Sequence, residues 1–528
     1  MWHCESEKHQ PRQLWYPPLE KLFREVMLFD PYKEQRELGP EGAKKKFLET
    51  VSARHPDYVL FFGAWEIFTI QTILEVNRLS PRTKTLMFFG DDDVQFEKMS
   101  RYYALFVDYV IVGQTQFLGR YEQEGLHNAL PIWGANASKA SAKCDKIYDV
   151  ALIGTPVQNR AELVRFLTDN GIDIRLWGHG WSEYPEFSKI YGGPLDSEDF
   201  IKITRQSKIS LSPTQSRYGP PHIKGRVFEI AACGEFQLVG YFSEYLKYFR
   251  ENKEIVMYKN NDDLLKKIKY YLANSKERER IAYNSYKKIA ERYNLLNSYV
   301  HIFGTILSHG DNVRGDLPKL GKKVAVLPKK DLARSLDELS EKISGADYIR
   351  FSAEECETYE YCDYLLARAL EKTKKDISCC EYDVNLRPLG KCMIFQLHKP
   401  CDAVGTKYIN SLLTINQIMV TKKFFLNNFE QLRRLANNKH VEIINENNTA
   451  FIAVPLFGLR KFSKTNYSDM QKAFRTDILH RLQFSMHSGR LLSFICGVLA
   501  ASIYSRSLFL PRCLIESIFP KIAKKIKY

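Results

Sequence analysis

The sequence predicts an α/β protein built mainly on parallel sheets, and three observations carry that reading. Short apolar runs alternate with stretches of helical period through residues 1–310, and most of those runs end in a polar or Gly-containing loop. Composition is that of a folded chain, with 45% hydrophobic and 26% charged residues and only 28 Gly and 21 Pro in 528 residues. Such proportions exclude a disordered or collagen-like chain, and the length accommodates about three domains.

In a first block, residues 1–140, the strand-like runs are Tyr58–Phe62, Thr85–Phe89 and Asp108–Val112. They lead into Gly63-Ala64, Gly90-Asp91-Asp92-Asp93 and Gly113-Gln114-Thr115, and open α/β sheets bind ligands at such carboxyl ends. A second block, residues 146–310, opens on Tyr148–Ile153, then Gly154 and a helix through Leu163 and Leu167. Asp173–Trp177, Ile209–Ser212 and Phe236–Val239 continue it, and helical patterns through Leu264, Ile268, Ile281 and Ile289 close it. Leu307–Leu320 reads as a linker. Beyond it, a mixed region at 321–430 carries a strand at Ala346–Phe351 and a helix at Tyr361–Lys372, and residues 431–528 form a C-terminal extension. There the apolar run Leu491–Tyr504 falls short of the ~20 residues that cross a bilayer. Lys521, Lys524, Lys525 and Lys527 then alternate with apolar residues. Two readings fit 491–528: a basic amphipathic segment in peripheral contact with an anionic membrane, or a helix packed on its own domain with a solvated basic end.

Against 62 Asp+Glu stand 77 Lys+Arg, a net charge of +15 that draws anionic partners. The basic residues are dispersed and no base-reading motif appears, so nucleic acid is not the expected partner. Met1–Glu20 lacks the pattern of a signal peptide, and the eleven Cys are an odd number without zinc-site spacing. The expectation is a cytoplasmic chain with reduced thiols and no bound metal.

Chemistry concentrates in Ile223–Val239, a short helix starting near Arg226, ended by Gly234 as a left-handed cap and followed at once by a buried strand. A helix start binds anions through its free N–H groups, and Lys224 and Arg226 add charge there. Glu229, in the first turn, is placed to accept hydrogen bonds from two sugar hydroxyls. A plain structural reading fits the same residues: Glu229 complements the helix dipole and Arg226 a neighbouring carboxylate.

The run Arg226-x-Phe228-Glu229-x-Ala231-Ala232-Cys233-Gly234, with Tyr245, Phe249, Glu254-Ile255, Tyr258, Asp263-Leu264, Arg278, Ile281-Ala282 and Tyr293 behind it, resembles the nucleotide-binding half of GT-B glycosyltransferases. The resemblance is to the CgeB-like and "glycosyl transferases group 1" members. It extends backwards through Gly154-Thr155, Arg160 and Gly178-x-Gly180-Trp181, and into the first block at Pro56-Asp57-Tyr58, Asp91-Asp92-Asp93 and Asp108–Ile111, covering about residues 20–305. It implies two Rossmann-like domains facing a cleft: an acceptor-side domain at 1–140 and a sugar-nucleotide-binding domain at 146–310. It also implies a hexosyltransferase-type, metal-independent activity, with a nucleotide-sugar as co-substrate and a glycan, lipid-linked or protein acceptor. Under the resemblance Glu229 binds the ribose hydroxyls, and Arg160 with Arg226 or Lys224 holds the diphosphate. Gly154 and Gly234 shape the donor loops, and Asp92 or Asp91 is the acceptor-activating base or acceptor anchor.

The chain departs from the pattern twice. Pro221 stands eight positions before Glu229, where retaining relatives carry a first glutamate, and few residues precede Gln13–Glu20 where an opening strand and Gly-rich loop are usual. A catalytically inactive GT-B scaffold that binds nucleotide is the alternative these departures support. Ser344–Glu355, with the helix after it and Ser411–Val420, resembles the middle of a GT-A glycosyltransferase whose metal motif has become Ser352-Ala353-Glu354-Glu355. Residues 321–430 are therefore expected to be a degenerate, non-catalytic GT-A-like region.

Overall fold

A computed structural model describes residues 15–62, 68–136, 144–157, 159–216, 219–309, 317, 321–352, 356–359, 361–386, 391–394, 418–436 and 448–459. The chain divides into two compact units, Met1–Leu317 and Pro318–Tyr528.

In the first unit the apolar runs form two parallel sheets. β1 (Tyr58–Phe62), β2 (Lys84–Phe89), β3 (Tyr109–Val112) and β4 (Ala129–Pro131) lie side by side in sequence order. Their register sets Leu60 opposite Leu86 and Phe88 opposite Ile111. Every residue of β3 is buried, as are Leu86–Phe89 of β2, because helices cover both faces of a parallel sheet and leave no polar alternation. One covering helix is Ile70–Leu79, started by Thr69, whose hydroxyl accepts the Thr72 N–H at 3.3 Å. The other comes from far along the chain: Leu295, Tyr299, Ile302, Phe303 and Ile306 of helix Leu295–Ser308 join Leu86, Phe88, Tyr109 and Ile111 in one core. Residues grouped by sequence with the second block thus complete the core of the first sheet.

The second sheet holds β5 (Tyr148–Ile153), β6 (Ile174–Trp177), β7 (Ser207–Ser212), β8 (Gln237–Gly240) and β9 (Val256–Tyr258), all parallel, in the order β6-β5-β7-β8-β9. Chain order reverses on either side of β5, so β5 and β7 are neighbours whose following loops diverge. A crevice opens there, outside their carboxyl ends. Val150, Leu152, Ile174, Leu176, Ile209, Leu211 and Leu238 fill the core beneath it. The two parallel α/β domains expected from the resemblance are present.

The second unit is a mixed sheet. β10 (Val324–Pro328), β11 (Tyr348–Ser352), β12 (Cys356–Thr358), β13 (Ile377–Leu386), β14 (Lys391–Ile394), β15 (Ile418–Thr421) and β16 (Thr449–Leu459) run in the order β10-β11-β15-β13-β16-β12, with β14 on β13. The expected strand near Ala346–Phe351 is β11, and the expected helix is Cys362–Thr373. Ala353-Glu354-Glu355, from the segment whose sequence resembles an altered GT-A metal motif, and the basic tail 491–528 lie outside the described residues. Among the described residues no helix is long and apolar enough to cross a membrane.

Candidate active site

Two glycine-built approaches set the floor of the crevice after β5. The Trp181 indole N–H donates to the Gly154 carbonyl at 2.6 Å, and a Cβ at Gly178 would lie 2.7 Å from that same oxygen. A Cβ at Gly154 would sit 3.1 Å from the guanidinium of Arg160, so glycine there leaves room for the cation. Arg160 is the first residue of helix Arg160–Asp169. Its side chain turns back over the loop, donating to the Thr155 carbonyl at 2.8 Å and reaching the Gln215 carbonyl at 3.5 Å. Only 7% of it is exposed, and its Nε–H has no hydrogen-bond partner.

The loop after β7 brings the second cation. Gln215 bridges to Pro221, and the His222 N–H donates to the Thr214 carbonyl at 3.1 Å, which folds the loop back on its own strand. Lys224 follows. Its ammonium donates to the Gln215 carbonyl at 2.8 Å, the same oxygen that Arg160 approaches. Among the described residues neither cation is ion-paired; backbone carbonyls are their partners. Burial lowers Arg160 to about 10, with Arg226 adding repulsion. Burial and the charge of Arg160 lower Lys224 to about 7, although Asp93 and Asp91 pull the other way. Two desolvated cations without a direct ion pair are costly to a fold, and an anion bound between them offsets that cost.

Helix Gly225–Ala232 starts at this point. Lys224 is its N-cap, no side chain caps its free N–H groups, and Gly234 (φ 76°) ends it in the left-handed conformation expected of it. The Lys224 N–H donates to the buried Tyr245 hydroxyl at 2.9 Å, fixing the entry of the helix. Arg226 lies over the Phe200 ring at 4.2 Å and pairs with Glu229 at 3.3 Å. The Glu229 side chain, 16% exposed, therefore satisfies the structural reading of an intrahelical partner while remaining in the crevice wall.

The Asp run of the first sheet separates into three environments. Asp91 is exposed at the cleft, yet the walls around it remove enough water to raise its pKa, with Asp93 adding repulsion and His222 opposing. Asp92 points inward, 1% exposed, and accepts the Tyr121 hydroxyl at 3.1 Å. Burial raises it to about 7 against the opposing hydrogen bonds of Ser100 and Tyr121. This corrects the expectation of Asp92 as a base: its carboxyl is enclosed in the first domain and does not face the cleft. Asp93 turns to the second domain, its Oδ2 lying 3.3 Å from His222 Nδ1. Burial pushes Asp93 up, but the hydrogen bond and charge of His222 and the Ser216 hydroxyl outweigh it and hold the carboxyl below its ordinary value.

Gln114, 1% exposed, sets these loops against each other. Its amide N–H donates to the carbonyls of Gly90 at 2.9 Å and Ile223 at 2.8 Å, and its carbonyl accepts the Ile223 N–H at 2.9 Å. One side chain thus ties the residue before the Asp run to the residue between His222 and Lys224. Asp93, His222 and Gln114 were not singled out from sequence. Asp93 was visible only as part of a run, and His222 as a polar residue two positions before the helix start.

The structure therefore brings Gly154, Arg160, Lys224, Arg226, Glu229 and Asp91 to one crevice and leaves Asp92 out. Residues 160–304 match the family model described as "Glycosyl transferase-like". The match includes every donor-side candidate except Gly154, and the glycosyltransferase part of the resemblance holds over that segment. Similar solved structures include Anabaena HepE in complex with UDP-glucose, at 12% identity over 51% of this chain and 82% of that one, TM-score 0.40. Staphylococcus aureus TarM, solved with UDP, Fondaparinux and alpha-GlcNAc-glycerol, is 12% identical over 50% of this chain and 58% of its own, TM-score 0.38. Sucrose-phosphate synthase of Thermosynechococcus elongatus is 12% identical over 53% and 80%, TM-score 0.38. No curated protein matches the chain.

Proposed function

We propose that the chain transfers a sugar from a nucleotide-sugar donor, and that the crevice between β5 and β7 holds the donor's diphosphate. The observation that carries this reading is the convergence of Arg160 and Lys224 on the Gln215 carbonyl beside the open start of helix Gly225–Ala232, inside the segment that matches the glycosyl transferase-like family. Charge develops on the diphosphate as the sugar leaves. Cations and N–H groups already fixed in a water-poor crevice stabilise that charge more in the transition state than in the ground state. Glu229 is assigned to the ribose hydroxyls, a role that requires it to exchange its contact with Arg226 for them. Asp91, the exposed carboxylate of the first domain, is assigned as acceptor anchor or base. The finer assignments, a CgeB-like hexosyltransferase with a glycan, lipid-linked or protein acceptor, rest on the sequence motifs.

Calorimetric titration with UDP, GDP, ADP and their sugars, in EDTA, tests the site. Micromolar binding of one nucleotide, lost in Arg160→Ala and Lys224→Ala, is the expected result, and no binding of any overturns the assignment. Binding without sugar release or transfer would instead leave the inactive scaffold, the reading that Pro221 in place of a glutamate favours.

A further inference from the structure

Beside Lys224, where the loop after β2 meets the loop after β7, a ligand atom from each of Asp91, Asp93 and His222 lies within 4.8 Å of the other two. Two of these residues belong to the loop after β2 and the third to the loop after β7. We propose that Asp91, Asp93 and His222 form a divalent-cation site that joins the two domains across the cleft. This inference does not depend on the donor-side reading and departs from the metal independence expected above.

Three features support it. The 3.3 Å between Asp93 Oδ2 and His222 Nδ1 suits two ligands at right angles or at the tetrahedral angle on one ion, whose bonds of ~2.1 Å set ligands ~3.0–3.4 Å apart. The Asp93 side chain is only 6% exposed, and its Oδ1 is a buried acceptor with no hydrogen-bond partner, which an ion bound there would satisfy. Asp91 is exposed and free to close the remaining distance, whereas Asp93 and His222 are held by their surroundings: Gln114 fixes the residues flanking both loops. Two carboxylate oxygens and an imidazole nitrogen suit first-row divalent ions such as Mn2+, Co2+ and Zn2+. Three protein ligands leave positions on the ion for water or an acceptor hydroxyl. Lys224 lies near enough to interact with both carboxylates, while its ammonium is hydrogen-bonded to the Gln215 carbonyl at 2.8 Å.

The test uses the full chain, stripped with chelator and titrated with Mn2+ and with Co2+ in the absence of nucleotide. The expected result is one equivalent bound with a micromolar Kd and a Co2+ visible spectrum of a mixed N/O site. Binding should weaken at least 30-fold in His222→Ala and in Asp93→Asn, and about tenfold in Asp91→Asn, whose exposed side chain makes misfolding no explanation. Asp173→Asn, an exposed acid at the amino end of β6, controls for non-specific attraction and leaves binding unchanged. Failure of both ions to bind below 1 mM (about a thousandfold weaker than micromolar), or binding unaltered in Asp91→Asn and His222→Ala, overturns the site and leaves an Asp93–His222 ion pair. Nucleotide binding in EDTA is read separately, so either proposal fails without the other.

Discussion

The two parallel sheets of the first unit differ in strand order and in how they use charge. β1 to β4 follow one another without reversal, while β6-β5-β7-β8-β9 turns back on itself at β5. The reversal opens a crevice in the second sheet, and the chain fills its edges with Arg160 and Lys224, cations held by carbonyls and without carboxylate partners. The first sheet has no such crevice among the described residues and contributes one acidic loop, of which Asp92 is committed to its own core and Asp93 to His222. Topology makes one sheet the binder and the other the wall that closes on it.

The sharpest break of that contrast is Arg160→Ala. Charge-assisted hydrogen bonds are worth ~1.5–3 kcal/mol each, so nucleoside diphosphate affinity should fall about 100-fold in calorimetry. The ligand-free protein should melt no lower than wild type, because an unpaired buried cation has gone. Gln114→Ala removes the amide shared by both domains and leaves the Ile223 N–H and carbonyl without it; the midpoint of urea unfolding should drop by an amount equivalent to about 2 kcal/mol. Asp92→Ala should cost about 1 kcal/mol in the same measurement while leaving nucleotide affinity unchanged; a loss of affinity there would return Asp92 to the site. Smallest is Lys208→Ala, which breaks a half-exposed pair with Asp149 at 2.7 Å beneath the second sheet. It should change the midpoint by less than ~0.5 kcal/mol, most of that at low salt.

The strands were legible in sequence because a parallel strand buried on both faces has no polar alternation to confuse its reading, and Tyr109–Val112 and Leu86–Phe89 stand out as unbroken apolar runs. The helix expected to start near Arg226 starts one residue earlier, at Gly225, and its end at Gly234 was legible through the left-handed cap, which is local chemistry. The fates of the three aspartates were not. Asp91 precedes a helical turn whose first residues are Asp92 and Asp93, and successive side chains on a helix point ~100° apart, so neighbours in sequence face cleft, core and opposite domain. His222 escaped notice because its partner is 129 positions away. Helix Leu295–Ser308 follows the second sheet in sequence, and only its contacts show that it completes the first.

Gln114 has a consequence for how the cleft moves. Its amide holds Gly90 on one side and both the N–H and carbonyl of Ile223 on the other, with almost no water reaching it. Separation of the loops breaks the two bonds to Ile223 together and leaves two buried donors and two buried acceptors unpaired at once. Opening the cleft at this point therefore costs buried hydrogen bonds on both sides at once, in addition to the Asp93–His222 contact that spans the same two loops.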